Sequence, residues 1–134
     1  MTSHVFTVGP DESITTLQDL MSEKRIRHAP VVDEDGAVLG LVSERDVLRR
    51  TFNQEADLPL SVRLDVLTAV KVRDIMTWEV ETIDVDEDLS TAAQIMLDNK
   101  YGCLPVVEEG VLAGILTEAD FVKFVAEAEA PSRP

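Results

Sequence analysis

A hydroxyl residue followed three positions later by an aspartate occurs twice in this chain, each time after a short apolar run. The two pairs are Ser43 with Asp46 and Thr117 with Asp120. A hydroxyl residue at a helix start caps a backbone N–H group, and an aspartate in the first turn meets the positive end of the helix dipole. Two helix caps are therefore the structural interpretation of the pattern.

The same geometry also suits a ligand. The N-terminus of a helix offers N–H groups to a phosphate. A carboxylate one turn into that helix accepts hydrogen bonds from both hydroxyls of a ribose. An acid at the ribose and a helix start at the phosphate together describe a site for an adenosine nucleotide, so this functional interpretation stands beside the caps.

A second candidate segment, Arg27-His28-Ala29-Pro30, lies upstream of the first pair. Proline cannot donate a hydrogen bond in a β-ladder, so Pro30 predicts the edge or the start of a strand. Neighbouring backbone groups are then left to meet the edge of a base, with Arg27 and His28 just before them. A solvated arginine and a surface histidine are the alternative for these two residues.

The chain repeats itself over most of its length. Met1-Thr2 recurs as Met76-Thr77 and Pro30-Val31-Val32 as Pro105-Val106-Val107, with 75 positions between copies. One residue is then lost at an acidic glycine turn, and the later pairs lie 74 apart. A deletion confined to a turn is what two copies of one folded unit tolerate.

Each copy predicts a β-α-β-β-α unit in a mixed α/β (α+β) fold. In the first copy, residues 5–8 favour a strand, and Asp11 or Ser13 is available to cap a helix with Ile14, Leu17, Leu20 and Met21 on one face. Residues 29–32 and 38–42 are predicted to form two strands, and a last helix is predicted to begin at Ser43 and to end near Thr51. One copy alone leaves a sheet face uncovered, so we expect the two units to pack sheet to sheet with pseudo-twofold symmetry.

The repeat also predicts the division of the chain. Residues 1–51 form the first motif, 72–126 the second, and 127–134 a fraying tail. Between the motifs, residues 52–71 form a linker that begins as a loop. Its apolar residues at helical spacing predict a linker helix; they are Leu60, Leu64, Leu67 and Val70.

Composition narrows the classes of function. The 134 residues carry a net charge of −14, which disfavours nucleic acid as a partner. No apolar run approaches the about 20 residues of a membrane span, and the N-terminus lacks a leader pattern, so we expect no membrane association and a cytoplasmic protein. Because Cys103 is the single cysteine, an intrachain disulfide and a cysteine zinc site are excluded. We expect its side chain to be a small buried apolar group.

Catalysis finds little support. The sequence has no glycine-rich P-loop, no supported nucleophile set, and only the histidines His4 and His28. We therefore predict neither an enzyme nor a metal site, and no required cofactor.

The doubled pattern of hydrophobic-X-Pro followed by Gly-hydrophobic-hydrophobic-Ser/Thr-X-X-Asp resembles a tandem pair of cystathionine-β-synthase (CBS) domains, the Bateman module, over residues 1 to about 126. The resemblance implies two units joined through their sheets, and a homodimer that forms a disc of four units. It also implies reversible binding of an adenosyl ligand such as AMP, ADP, ATP or S-adenosylmethionine, without catalysis.

The resemblance also implies roles for particular residues. Asp46 and Asp120 match the acids that bind ribose, and Ser43 and Thr117 match hydroxyl residues near ribose or phosphate. The remaining matching positions border the base or the phosphate: Thr7, Ile26, Arg27, His28, Pro30 and Arg45 in the first motif, and Thr82, Tyr101, Cys103 and Pro105 in the second.

The copies differ in charge at these positions. Arg25, Arg27, His28 and Arg45 of the first copy are replaced by Lys100, Gly102, Cys103 and Ala119 in the second. A phosphate-rich ligand is therefore expected in the first cleft. The second cleft is either empty or takes a less charged adenosyl compound near Tyr101.

The leading hypothesis is a stand-alone sensor that signals to a separate, unidentified partner protein. A ligand-free module for dimerisation or protein interaction is the alternative.

Overall fold

The computed structural model describes residues 5–54 and 59–128, without side chains for a few helical residues near the gap. The chain divides into two compact units. The first comprises Phe6–Val80, and the second comprises Val5 with the described residues from Glu81 onward.

The first unit contains a three-stranded sheet in the order β1-β2-β3, with both pairs antiparallel. Val8 adds a parallel bridge to Val31, so the strand expected over residues 5–8 is reduced to this bridge. The expected linker helix is present as α3. The elements are α1 (Ile14–Lys24), β1 (His28–Val32), β2 (Val38–Ser43), α2 (Glu44–Gln54), α3 (Leu60–Ala69), a 3₁₀ turn (Val72–Asp74) and β3 (Thr77–Trp78).

The second unit has a sheet in the order β4-β5-β6, in which β4 runs parallel to β5 and β5 antiparallel to β6. With β4 in the place of the Val8 bridge, both units follow the predicted β-α-β-β-α order, and the mixed α+β class is confirmed. The elements are β4 (Ile83–Asp84), α4 (Leu89–Asn99), β5 (Cys103–Glu108), β6 (Val111–Thr117) and α5 (Glu118–Ala128).

The residues at the helix ends explain where several helices begin and end. The Ser13 hydroxyl caps α1 by accepting a hydrogen bond of 3.2 Å from the amide of Thr15. Of the two predicted caps, Asp11 and Ser13, the helix therefore uses Ser13. Helices α1 and α4 both end on a left-handed residue, Arg25 (φ 55°) and Lys100 (φ 57°). α2 continues to Gln54, beyond the predicted end near Thr51, because no helix breaker intervenes. Residues 55–58 of the expected loop and 129–134 of the tail lie outside the described residues.

The lost residue changes the type of turn. In the first unit, the Asp33 carboxylate accepts hydrogen bonds from the amides of Asp35 and Ala37, at 2.9 and 3.0 Å. In the second unit, Glu109 and Gly110 both have positive φ and close a two-residue hairpin. The shorter turn keeps the same strand pairing, so the deletion does not disturb the sheet.

The segment from Val70 to Trp78 completes the first unit. The amides of Val72 and Arg73 each donate a hydrogen bond of 2.8 Å, to the carbonyls of Glu12 and Pro10. Val72 and Met76 are buried in the core beside Leu17 and Val31, and β3 pairs with β2. Residues that open the second copy in the repeat therefore stabilise the unit built on the first.

Each unit buries its own apolar cluster between sheet and helices. Leu17, Val31, Val42 and Val47 lie in the first, and Ala92, Leu104, Val106 and Leu116 in the second. Among the described residues, none of the helices is long and apolar enough to cross a membrane.

Gly40 is required by the close passage of β3. A Cβ atom at this position would overlap the Thr77 carbonyl oxygen and lie 2.6 Å from Met76 Cε. Because a backbone carbonyl of a paired strand cannot withdraw freely, Gly40→Ala should lower the free energy of unfolding by about 2 kcal/mol. Urea denaturation measures this loss. Gly9→Ala is the matched control, since nothing lies within 4 Å of its Cβ; equal losses in both variants would contradict the explanation.

Cys103 should be chemically silent in the folded protein. Its side chain is buried in β5, and burial raises the pKa of the thiol from 9.0 to about 12. Because the thiolate is the reactive form, alkylation by iodoacetamide at about pH 8 should be at least about 100-fold slower in the folded than in the urea-unfolded protein. Mass spectrometry of the adduct over time gives both rates, and similar rates would refute the burial argument.

Candidate functional site

In the first unit, strand β2 passes directly into helix α2 with no loop between them. Ser43 ends the strand and Glu44 begins the helix. The register of β1 with β2 sets His28 opposite Ser43, and the amide of Glu44 donates a hydrogen bond of 2.8 Å to the carbonyl of Arg27. The start of α2 and the start of β1 are thereby joined at one end of the sheet.

Ser43 and Asp46 cap α2 reciprocally. Asp46 Oδ2 accepts hydrogen bonds from the Ser43 amide at 2.8 Å and from the Ser43 hydroxyl at 2.9 Å. The Ser43 hydroxyl in turn accepts from the Asp46 amide at 3.1 Å, which completes a capping box. The structural interpretation of this pair is therefore correct.

The cap uses only one of the two carboxylate oxygens. Within the described part of the chain, Asp46 Oδ1 accepts no hydrogen bond. The side chain is half-buried. An ionised carboxylate has further lone pairs on its second oxygen, so capping and ligand binding do not exclude one another at this residue.

The helix N-terminus keeps fewer N–H groups for a ligand than the sequence suggests. The Glu44 amide bonds to Arg27 and the Asp46 amide to Ser43. The amide of Arg45 has no acceptor among the described residues. A phosphate at this helix start would therefore meet one backbone N–H group, at the same residue that carries an exposed guanidinium.

Pro30 lies at the edge of the sheet that faces away from β2. The amide of Val8 donates to the Pro30 carbonyl at 3.1 Å, and the amide of Val32 donates to the Val8 carbonyl at 3.0 Å. Because backbone groups alternate along a strand, the missing N–H of Pro30 takes no bond from the ladder with β2. Thr7, just before Val8, is exposed beside this edge, and Ile26 packs against the core.

The second unit repeats this geometry. Thr117 donates to Asp120 Oδ2 through its amide at 2.9 Å and through its hydroxyl at 3.3 Å. Cys103 lies opposite Thr117, and the Glu118 amide approaches the Gly102 carbonyl at 3.4 Å. The two hydrogen bonds from the hydroxyl residue to the aspartate are therefore present in both copies, and both are longer in the second.

The other second-motif candidates occupy matching places. Ile83 pairs with Val106 in parallel, so Thr82 lies beside Pro105 as Thr7 lies beside Pro30. Tyr101 is half-buried and packs against the core of its unit. Pro30, Pro105 and Cys103 are buried, so these three would meet a ligand through the backbone.

The two candidate sites differ in the charge of the residues around them. At the end of the first sheet, Arg25, Arg27 and Arg45 are exposed and His28 is half-buried. The second unit retains one of these cations, Lys100, and places the buried thiol of Cys103 where the first has His28. The first site therefore has the more positive surroundings, which favours a multiply charged anion there.

A cavity of about 650 Å³ lies elsewhere on the first unit and shares only Thr7 with the predicted site; it is lined by Thr7, Val8, Gly9, Pro10, Asp11, Glu12, Val32, Asp33 and Glu34. Its four carboxylates disfavour an anion. The sequence analysis missed this cavity, because its walls come from two acidic turns that are distant in sequence. Within residues 5–54 and 59–128, no three His, Cys, Asp or Glu side chains group closely enough to hold a metal ion.

Two archaeal proteins are similar to this chain over most of its length. MJ1426, an uncharacterised protein of Methanocaldococcus jannaschii, is 32% identical over 87% of this chain and 83% of its own length. MJ1404 of the same organism is 31% identical over 95% of this chain, which spans only 31% of that protein.

Solved structures are similar over nearly the whole chain. The CBS-pair protein CBSX2 from Arabidopsis thaliana is 28% identical, covers 98% of this chain and 94% of its own, and superposes with a TM-score of 0.83. CBSX2 in complex with AMP is 30% identical, covers 96% of this chain and 94% of its own, and has a TM-score of 0.79. The family model of the CBS domain matches twice, at residues 1–53 and 72–127. The chain therefore belongs to the CBS domain family and carries the domain in tandem.

Proposed function

We propose that this protein reversibly binds an adenosyl ligand, AMP, ADP, ATP or S-adenosylmethionine, and signals its presence to a separate protein without catalysis. The observation that carries the proposal is the twin arrangement at the ends of β2 and β6, where a hydroxyl residue donates two hydrogen bonds to the aspartate in the first turn of the following helix. The AMP complex of CBSX2 supports an adenine nucleotide as the ligand.

Asp46 would hold the ribose. Its Oδ2 atom is fixed by two hydrogen bonds from Ser43, so the direction of Oδ1 is set before a ligand arrives. A ribose diol has two O–H donors, and hydrogen bonds to an ionised acceptor are the stronger kind. Asp120 has the corresponding role in the second motif, next to Thr117.

Phosphate would lie at the start of α2. Arg27 and Arg45 are brought together by the Glu44 amide bond to the Arg27 carbonyl, and the Arg45 amide points from the first turn of the helix. An arginine fork can bind phosphate oxygens in pairs. His28, in register with Ser43, adds an imidazole whose ring N–H can donate a hydrogen bond to a phosphate oxygen.

The base would lie along the outer edge of β1. Thr7 and Ile26 border this edge, and the backbone around Pro30 would meet polar atoms of the adenine. In the second motif, Thr82, Pro105, Cys103 and Tyr101 occupy the matching places, with the tyrosine offering a stacking surface. With one residual cation, Lys100, this second site suits a less charged adenosyl compound.

The signal requires two arrangements of the protein with different affinities for the ligand. A homodimer built as a disc of four CBS units is the assembly we propose, acting on a partner protein in the cytoplasm. The alternative is a ligand-free interaction module. Two observations favour it: uncharged residues replace two arginines and a histidine in the second site, and α5 exposes apolar side chains.

Isothermal titration calorimetry with AMP, ADP, ATP and S-adenosylmethionine separates the two functions. Heat of binding to the purified protein for at least one of the four supports the sensor. Absence of heat with all four compounds at about millimolar ligand would leave the interaction module. A Kd of about 1 mM corresponds to a binding free energy of only about −4 kcal/mol, so the titration covers weak binding as well. Mass spectrometry of small molecules released from the denatured protein identifies a ligand that co-purifies.

Removing the charge of Asp46 while keeping its shape should weaken binding far more than folding. In Asp46→Asn the remaining oxygen can still accept from Ser43, so the melting temperature should change little. The ribose loses its ionised acceptor, which costs about 1.5–3 kcal/mol, or about 10- to 100-fold in Kd. Calorimetry and thermal unfolding measure the two effects.

Asp74→Asn is the matched control for that experiment. Asp74 Oδ2 accepts a hydrogen bond of 2.9 Å from the Lys71 amide, so it caps the 3₁₀ turn with no ribose assigned to it. We expect normal binding in this variant. Parallel losses of binding and melting temperature in Asp46→Asn would instead assign Asp46 to the cap alone.

Arg45→Ala should weaken the binding of ligands that carry phosphate groups. The guanidinium is exposed, so its attraction is screened by salt. We expect affinity for ADP to fall by about tenfold at low ionic strength, while adenosine binding stays nearly unchanged. Lys71→Ala removes one positive charge from an exposed position of the same unit and serves as the control. Equal losses for ADP and adenosine would show that Arg45 does not contact phosphate.

A further inference from the structure

The edge of the first sheet that is proposed to meet the base is extended by one residue only. Val8 donates a hydrogen bond of 3.1 Å to the Pro30 carbonyl and accepts one of 3.0 Å from the Val32 amide. Its neighbours Thr7 and Gly9 lie outside the bridge. Residues beside an isolated bridge keep much of their backbone freedom, so the position of Thr7 depends on what holds the chain after Val8.

The second unit holds the matching segment by contacts of its own. Strand β4 pairs over two residues, Ile83 and Asp84. The Asp84 carboxylate accepts a hydrogen bond of 3.0 Å from the Asp86 amide, and the Asp84 carbonyl accepts one of 3.0 Å from the Glu87 amide. An aspartate that binds the backbone two residues further on stabilises a turn, so this segment is fixed locally.

The first unit lacks that local support. Gly9 replaces Asp84 and has no side chain with which to hold the turn. Pro10 replaces Val85, whose amide donates to β5 in the second unit, and proline has no N–H to donate. The contacts within the first turn are long, because Gly9 and Glu12 exchange two hydrogen bonds of 3.3 Å.

The segment that leads into the second motif, residues 70–78, supplies support from outside. The Arg73 amide donates a hydrogen bond of 2.8 Å to the Pro10 carbonyl. The Arg73 guanidinium makes two contacts with Asp11 Oδ1, from Nε at 2.8 Å and from Nη2 at 2.7 Å. One residue therefore holds Pro10 through its main chain and Asp11 through its side chain.

We propose that Arg73 is a positioning residue for the first ligand site, because its hold on Pro10 and Asp11 keeps Thr7 and Val8 in place at the base edge. The inference rests on the proposed function and adds a residue that acts through the chain following Val8. The side chains of Arg73 and Asp11 are 46% and 67% exposed. A pair this exposed changes an equilibrium constant by about fivefold at most.

Direct binding of phosphate by Arg73 is the competing explanation. Asp11 already engages the guanidinium, and the cavity beside that aspartate is lined by four carboxylates, which disfavour an anion. The two explanations make opposite predictions for the loss of Asp11. Its removal would free Arg73 for a phosphate, but it would release the turn that follows Val8.

Isothermal titration calorimetry of the full chain with AMP and with inosine monophosphate (IMP) tests the role. The two nucleotides share ribose and phosphate and differ in the base, so the ratio of their dissociation constants reports on the base edge. In Arg73→Ala we expect the Kd for AMP to rise about three- to fivefold and the Kd for IMP to rise less. Arg73→Lys keeps the charge but loses the planar fork, so its Kd for AMP should lie between those of the unmodified protein and Arg73→Ala.

Further variants separate positioning from direct contact. If Arg73 acts through Asp11, Asp11→Ala raises the Kd for AMP as Arg73→Ala does, and the double variant adds little to either. Lys71→Ala removes the same charge from an exposed position of the same segment and should bind AMP normally. Thermal unfolding of each variant, with a melting temperature within a few degrees of the unmodified protein, shows that the fold is retained.

Three results would overturn the proposal while leaving the proposed function in place. They are unchanged AMP affinity in Arg73→Ala, equal losses for AMP and IMP, and a loss in Arg73→Ala that Asp11→Ala does not share. The last of these would assign Arg73 to phosphate. Absence of binding of any adenosyl compound to the unmodified protein would remove the proposed function and this inference together.

Discussion

The amide of Glu44 donates a hydrogen bond of 2.8 Å to the carbonyl of Arg27, and the first candidate site depends on this contact. It fixes the start of α2 against the residues that lead into β1, at the end of the sheet where His28 faces Ser43. Together with that strand pairing, it holds the candidate cations and the capping aspartate at one place on the surface. The second unit has the equivalent contact, at 3.4 Å and with Gly102 in the place of the arginine. One backbone geometry thus carries two different sets of side chains.

The capping box makes the site rigid before any ligand binds. Two hydrogen bonds hold Asp46 Oδ2, so the second oxygen projects in a direction that the fold has already set. A preorganised acceptor avoids part of the cost of ordering a side chain on binding, which is about 0.5–1.5 kcal/mol for a flexible group. The cap and the proposed ribose contact would therefore share one carboxylate, and a stable cap would be an advantage for binding.

The repeat predicted the order of elements and the Ser43 cap of α2, because strand-to-helix junctions and helix starts are local in sequence. It could not predict that residues 72–80 pack in the first unit, since the hydrogen bonds from Val72 and Arg73 reach back about sixty positions to Glu12 and Pro10. It also overstated the free N–H groups of α2, because the acceptor for Glu44 is a carbonyl from another element. The sequence showed the charge differences between the copies directly. It could not show which side of α5 is exposed, because that depends on Phe121 packing against the core of the second unit.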